Sequence, residues 1–416
     1  MKTLYASIAF MVLLLGLGGQ AAAWAQDAPE ETNDMLSVRT KGFVDSYHAL
    51  GLVNGQWMAS RTQVRGELQL GKWGANAFVS LMATANGLLP SKSGINLREA
   101  YLSYTTDHFT LCAGRRIIIW GLADALRVTD IVSPLDLTEF ITKDFDEIRT
   151  PVNVIECTYS NTVMSVSAIA IPIPNFYTLP TEPDNPWTPF PAGQHVQLDL
   201  SSHQPPLSIK SAEFGGRIRF FLPSVDFSLC ALRTWNKMPV FTYTRTSDGL
   251  ALAAHHARMT LVGGDLSVSA GPLVLRAEAA AYLHEAQSPL PNQEIQFRHT
   301  LHGLIGIDWY APHEWTLSAQ YFHNFIPKAE ELPAVGNAGL ATLRIAKNML
   351  GNTLTLSNFA YFDVTHIGLF NRISAHYAFS DQLSGELAYD LFYAKGGMFF
   401  PYRNNSQLWV RLRFAF

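Results

Sequence analysis

Apolar and polar residues alternate along most of this chain with a period of two. The pattern is clearest in the last nine residues. Leu408, Val410, Leu412, Phe414 and Phe416 form one row, and Trp409, Arg411, Arg413 and Ala415 form the other. Successive side chains of a strand point to opposite faces, so such a segment has one apolar face and one wet or charged face. The same pattern predicts strands at 38–45, 61–70, 75–86, 97–105, 109–119, 153–160 and 163–171. It continues at 211–221, 227–236, 255–267, 272–284, 296–310, 315–325, 353–361, 365–379, 382–394 and 407–416.

The connections alternate as well. Short turns are expected at 71–74, 161–162, 222–226, 270–271, 311–314, Asp363 and 380–381. Between them lie long segments near 121–150, 172–210, 237–250, 285–295, 326–350 and 395–405. The first is rich in acids, and the second holds enough prolines to exclude regular helix and central strand. Leu340, Leu343, Ile345, Ala346 and Leu350 predict a short loop helix within 338–350.

An apolar strand face packs against a second layer in a soluble sandwich, or turns to lipid in a transmembrane barrel. The N-terminus favours the barrel. Lys2, the apolar stretch Ile8 to Leu17 and Ala23-Trp24-Ala25 read as a secretory signal peptide over 1–25, cleaved near Ala25-Gln26. No later apolar run is long enough to span as a helix, yet the chain is 48% hydrophobic and only 15% charged. The expectation is an all-β protein of the cell outer membrane: a transmembrane antiparallel up-and-down barrel over 36–416, preceded by a short periplasmic tail at 26–35. About 16 strands fit, with roughly 14–18 as the range that boundary errors allow. Short turns would face the periplasm and long loops the exterior. Trp57, Trp73, Trp309, Tyr310 and Trp315 sit near strand ends, as interfacial girdle residues would.

The polar rows should then line a lumen. They carry Arg39, Arg61, Arg65 and Glu67 in the first two strands, and Glu213, Arg217 and Arg219 in the middle of the chain. Arg276, Glu278, Glu386, Asp390, Arg411 and Arg413 follow. Glu67 with Arg65, and Glu278 with Arg276, point the same way on one strand, and Arg39 is expected near Arg411 or Arg413 across the closing seam. Rings of arginine favour anions. Alternatively, these charges neutralise one another across strands and only keep the interior wet. The 121–150 loop is long and charged enough to fold back as a constriction, with Arg115, Arg116 and Arg127 facing Asp130, Asp136 or Asp144.

Little points to catalysis. There is no G-x-S-x-G elbow, H-E-x-x-H or P-loop, and the acidic loop lacks an EF-hand spacing. Cys112, Cys157 and Cys230 form no metal or redox motif. No enzyme activity, metal or cofactor is expected, and nothing suggests nucleic acid. The expected partners are outer-membrane lipid, the barrel-insertion machinery acting on the C-terminal strand, and a small polar or anionic solute.

Several segments resemble a family of bacterial outer-membrane barrels of unknown function, near the porin-like and alginate-export barrels. Gly114-Arg115-Arg116-Ile117-Ile118-Ile119-Trp120-Gly121 is similar to its G-R-Q, three residues, W-G pattern, with Arg116 in place of Gln. Ser133-Pro134-Leu135-Asp136 is similar to its N-P-x-D, with Ser133 for Asn. Leu97-Arg98-Glu99-Ala100-Tyr101, Arg149-Thr150-Pro151, 211–217 and the ending from Tyr402 also fit. The resemblance implies an outer-membrane channel or export role, without a substrate. A porin-like channel or export protein passing a polar or anionic solute or chain through a charged lumen is the first expectation. A plugged barrel serving as a ligand-binding or structural surface protein is the alternative, and an outer-membrane hydrolase a lesser one.

Overall fold

The computed structural model describes residues 36–416, apart from 190–195, 202–203, 247–248, 291 and 333–336. The expected signal peptide and the expected tail at 26–35 lie outside the described residues. The first strands are β1 (Ser37–Gly51), β2 (Trp57–Lys72), β3 (Ala75–Asn86), β4 (Gly94–Thr105), β5 (Phe109–Arg116), β6 (Val152–Ser160) and β7 (Met164–Ile171). Next come β8 (Val196–Asp199), β9 (Glu213–Leu222), β10 (Val225–Trp235), β11 (Val240–Thr246), β12 (Gly249–His255), β13 (Arg258–Ala270) and β14 (Leu273–Gln287). The chain ends with β15 (Gln296–Ala311), β16 (Trp315–Phe325), β17 (Ala338–Met349), β18 (Leu354–Asp363), β19 (Gly368–Ala378), β20 (Leu383–Ala394) and β21 (Gln407–Ala415).

Eighteen of these strands form one antiparallel sheet that closes on itself, because β1 pairs with both β2 and β21. Closure removes both sheet edges, so every strand's backbone groups find a neighbour. Strands β8, β11 and β12 form a separate three-stranded sheet in the connections on either side of β9 and β10, with β8 parallel to β12. The barrel has 18 strands rather than 16. Residues 338–350 are not a loop helix: 338–349 form β17, hydrogen-bonded between β16 and β18. Its inward row contains Leu340, packed against the interior apolar cluster, so the polar half of the alternation is weakened there.

At one end of the barrel every connection is short: 73–74, 106–108, 161–163, 223–224, 271–272, 312–314, 350–353 and 379–382. The other end carries the long segments 117–151 and 172–212. The extra strand moves the turn after Asp363 to this second end, opposite to the expected placement. Outward positions are apolar and exposed, among them Leu102, Leu111, Leu229, Ile305, Leu387 and Val410. Trp57, Trp73, Trp309, Tyr310 and Trp315 are also exposed.

The closing seam has a fixed register. Asp45 lies opposite Arg413 and Tyr47 opposite Arg411, while Gly42 exchanges backbone hydrogen bonds with Phe416. Arg39 therefore lies beyond the end of β21, exposed, and does not approach Arg411 or Arg413.

Candidate functional site

The interior is occupied by the segment linking β5 to β6. It leaves the sheet after Arg116, and two features of the 114–121 stretch make the departure possible. Gly114 has φ +143°, and an added Cβ would overlap the Ala100 carbonyl and lie 2.5 Å from Tyr101 Cα. Gly121 has φ +91°, and a Cβ there would lie 2.7 Å from Thr129 Oγ1 and 2.9 Å from Glu278 Oε2. Only glycine combines those dihedrals with that approach at low cost. Trp120 is buried in the interior cluster, and its backbone N–H donates to Asp130 Oδ1 at 3.0 Å. Ser133 Oγ accepts from the Ile118 N–H at 2.9 Å.

Asp130 organises the loop from within. Arg149 donates to its Oδ2 at 2.9 Å, and Arg127 donates to its carbonyl and to Tyr177 Oη at 2.8 Å. Asp136 is paired with Lys143 at 2.6 Å. Burial works against ionisation of Asp136, but Lys143 and the Thr138 donors outweigh it and hold the carboxyl below the ordinary aspartate range. Asp144 behaves similarly: Arg411 outweighs burial and lowers its pKa. Asp130, Asp136 and Asp144 thus each face a cation. Among the described residues no group of three or more histidines, cysteines or acids could hold a metal ion.

The loop is fastened to opposite walls. On the β14–β18 side, Glu278 accepts from the backbone N–H groups of Leu122, Ala123 (2.6 Å) and Thr129 (3.3 Å), and from Thr129 Oγ1 at 3.1 Å. Arg276 donates to the Leu122 carbonyl at 2.9 Å and pairs with Asp124 and Asp308. Gln320 Nε2 donates to the Asp124 carbonyl, Tyr282 to that of Val128 and Tyr361 to that of Ala125. On the seam side, Arg61 donates to Glu139 at 2.7 Å, Arg411 pairs with Asp144, and Arg413 donates to Glu147 at 3.0 Å and to Asp45 at 3.0 Å. Arg372 joins Asp390 at 2.7 Å to the Thr142 carbonyl at 3.0 Å.

Several expected pairings are replaced. Arg276 and Glu278 bind the loop rather than each other. Glu67 pairs with Lys41 rather than Arg65, whose guanidinium lies over the Phe43 ring. Arg116 meets Glu156 at 2.8 Å, not a loop aspartate. Arg115 lies on the outward row of β5, opposite Ala100 and Asn153, and its Nε donates to the Leu97 carbonyl. Arg217 pairs with Asp265, and Glu213 is buried against Lys237. Arg219 lies over Phe221, and Glu386 is opposite Arg411 in the sheet. Glu139, Lys143, Arg149, Asp45, Gln320 and Arg372 were not among the expected site residues. Asp45 and Arg372 stand on inward rows, which is the signal that could have found them; the loop residues had no periodicity to follow.

Beyond the inner loop, the 172–189 segment caps one side. Trp187 is buried, donating to the Met58 carbonyl, and its ring packs near Phe392 and Tyr402. Phe140 stacks on Tyr402 with ring centroids 4.0 Å apart. Between the inner loop and the β2–β5 wall is a polar cavity of about 320 Å³. Arg61, Lys92, Arg98, Lys143 and Arg149 line it, with Arg115 at its edge, against Asp136, Glu139 and Glu147.

No family model matches the chain, and no curated protein matches its sequence. Solved structures do share its fold. Pseudomonas aeruginosa OccD3 (OpdP) superposes with a TM-score of 0.54 at 10% identity, covering 94% of this chain and 95% of that one. Pseudomonas aeruginosa OccK2 (OpdF) gives 0.54 at 10% identity, over 91% and 97%. Salmonella typhi OmpF, in a complex with daunomycin, gives 0.50 at 10% identity, over 93% and 100%. The chain therefore has the closed antiparallel barrel fold of porin-like proteins.

Proposed function

We propose that this protein is a porin-like channel of the outer membrane that passes small polar solutes and favours anions. The exposed apolar rows would face lipid, the short connections the periplasm and the long ones the exterior. The solute path would follow the polar cavity between the β2–β5 wall and the inner loop, with that loop as the constriction. The observation that carries the preference for anions is the lining of this cavity, where Arg61, Lys92, Arg98, Lys143 and Arg149 stand against three carboxylates. The similarity of 114–121 to the outer-membrane family described above agrees with this reading.

Planar-bilayer recording of the purified protein tests it. The wild type should conduct with chloride preferred over potassium, and deletion of 124–147 should raise single-channel conductance. Unchanged conductance in the deletion would remove the constriction. The aromatic packing of Phe140, Trp187 and Tyr402 favours a second reading, a plugged barrel. No wild-type current, with a large current from the deletion, would select it.

A further inference from the structure

The outward rows of β1 and β2 break the apolar rule at four neighbouring positions. Tyr47 faces the interior, its ring centroid 5.2 Å from that of Trp409. Ser46 and His48 therefore point outward, opposite Leu412 and the exposed Val410 of β21. On β2, Thr62 lies opposite Ser46 and Ser60 opposite His48, so all four polar side chains share the outer surface. An ionisable group on a surface turned to lipid is costly, and function is the usual reason for keeping one there.

The four side chains form one run of hydrogen bonds. Thr62 Oγ1 is 3.2 Å from Ser46 Oγ, which is 3.0 Å from His48 Nε2, and His48 Nδ1 is 3.1 Å from Ser60 Oγ. The Thr62 and Ser46 end is buried, at 1% and 8% exposure, whereas His48 and Ser60 are half-buried. A proton on Nε2, donated to Ser46, leaves Nδ1 to accept from the Ser60 hydroxyl. An accessible hydroxyl, a base beside it and a buried group that orients the base are the parts of an activated nucleophile. Strand pairing assembles them, so no sequence motif announces them.

Their depth suits a lipid ester. The β1–β2 register shifts between Ala49 and Leu50, which sets Trp57 opposite Leu50. Bulges of this kind re-aim side chains beside functional sites. The exposed Trp57 indole stands edge-on to His48, with ring centroids 6.3 Å apart. Indoles favour the boundary between hydrocarbon and headgroups, the level at which glycerolipid ester carbonyls meet water.

We infer that Ser60 and His48, with Ser46 and Thr62 as positioning residues, form an esterase site on the lipid-facing surface that cleaves an acyl ester of glycerophospholipids. Ser60 Oγ attacks the ester carbonyl carbon, and its proton passes to His48 Nδ1. The bond to the glycerol oxygen then breaks, that oxygen takes the proton from His48, and the lysolipid leaves. Water, deprotonated by His48, attacks the acyl-serine, releases the fatty acid and restores Ser60. A strand paired on both sides has few backbone N–H groups to offer the oxyanion, so turnover should be slow. The site lies on the opposite side of the wall from the lumen and does not depend on the channel reading.

The detergent-solubilised full chain, incubated with mixed micelles of diacyl phosphatidylglycerol, tests this by mass spectrometry. The wild type should release lysolipid and fatty acid in equal amounts, and a fluorophosphonate probe should label Ser60. Ser60→Ala should lose both signals, and His48→Gln should slow release about a hundredfold. Ser46→Ala should slow it about tenfold, the worth of one orienting hydrogen bond, and Ser46→Thr should restore most of the rate. No release by folded wild type, or equal release by wild type and Ser60→Ala, would overturn the proposal. So would a Ser46→Thr variant no faster than Ser46→Ala, for the positioning role. If Ser60→Ala fails to fold, labelling of the wild type decides: a label elsewhere, or none, would overturn the proposal.

Discussion

Replacing Glu278 with alanine should release one end of the inner loop while leaving the barrel closed. This carboxylate is the acceptor for three backbone N–H groups and one hydroxyl, all from residues 122–129. Hydrogen bonds to a charged acceptor contribute roughly 1.5–3 kcal/mol each, and a donor left buried without a partner costs about 1–3 kcal/mol. The contacts share two oxygens, the Thr129 N–H contact is long at 3.3 Å, and water would enter the space left by the side chain. The sum is therefore far from additive, and about 3 kcal/mol is a reasonable loss. That corresponds to roughly a hundredfold larger open population of this segment. Hydrogen exchange through local opening reads the population directly. Amides in 118–131 should exchange roughly a hundredfold faster in Glu278→Ala, while those in β13–β15 stay protected. Glu278→Gln retains one acceptor oxygen and should fall between the two. Unchanged exchange over 118–131 in a correctly folded alanine variant would refute the assignment of Glu278 as an anchor.

Gly114→Ala forces a Cβ onto the Ala100 carbonyl at φ +143°, at a cost of roughly 1–3 kcal/mol before any clash is relieved. The temperature at which the folded band disappears on semi-native gels should fall, and an unchanged value would remove the steric argument. Acid should loosen the seam-side anchor only at low pH. Asp144 is held below its ordinary value of 3.8 because Arg411 outweighs burial, so its contribution to docking is complete above 3.8 and is lost as pH falls through the lower docked value. Current noise in bilayers should stay constant from neutral pH downwards and rise only below that range. Asp144→Asn should show the raised noise at every pH, and noise in the wild type that rises near pH 6 would contradict the assignment.

The barrel was largely legible because outward rows must be apolar in every strand, whatever the interior does. The inward rows are less regular, and the errors lie there. In β17 the inward Leu340 meets an apolar interior, so 338–349 lost its alternation and resembled a helix. The strand expected over 109–119 ends at Arg116, where the chain turns inward and carries Trp120 into the interior. Partners of single charges were the least legible part. The Arg276–Glu278 spacing gives a shared face, but the loop reaches both residues and separates them. Which loop acid meets which wall arginine depends on the three-dimensional path of about thirty aperiodic residues.

The two-sided fastening of the inner loop also has a mechanical meaning. A hollow sheet cylinder deforms most easily by flattening, since each strand pair can flex about its hydrogen bonds. Here a covalent strut crosses the bore from Glu278 on one wall to Arg61, Arg411 and Arg413 on the other. Flattening along that direction compresses a packed segment, and widening along it stretches ion pairs. The cross-section should therefore be stiff along one diameter and softer along the perpendicular one. Lateral pressure applied to such a wall would change the shape of the remaining passage chiefly on the β2–β5 side.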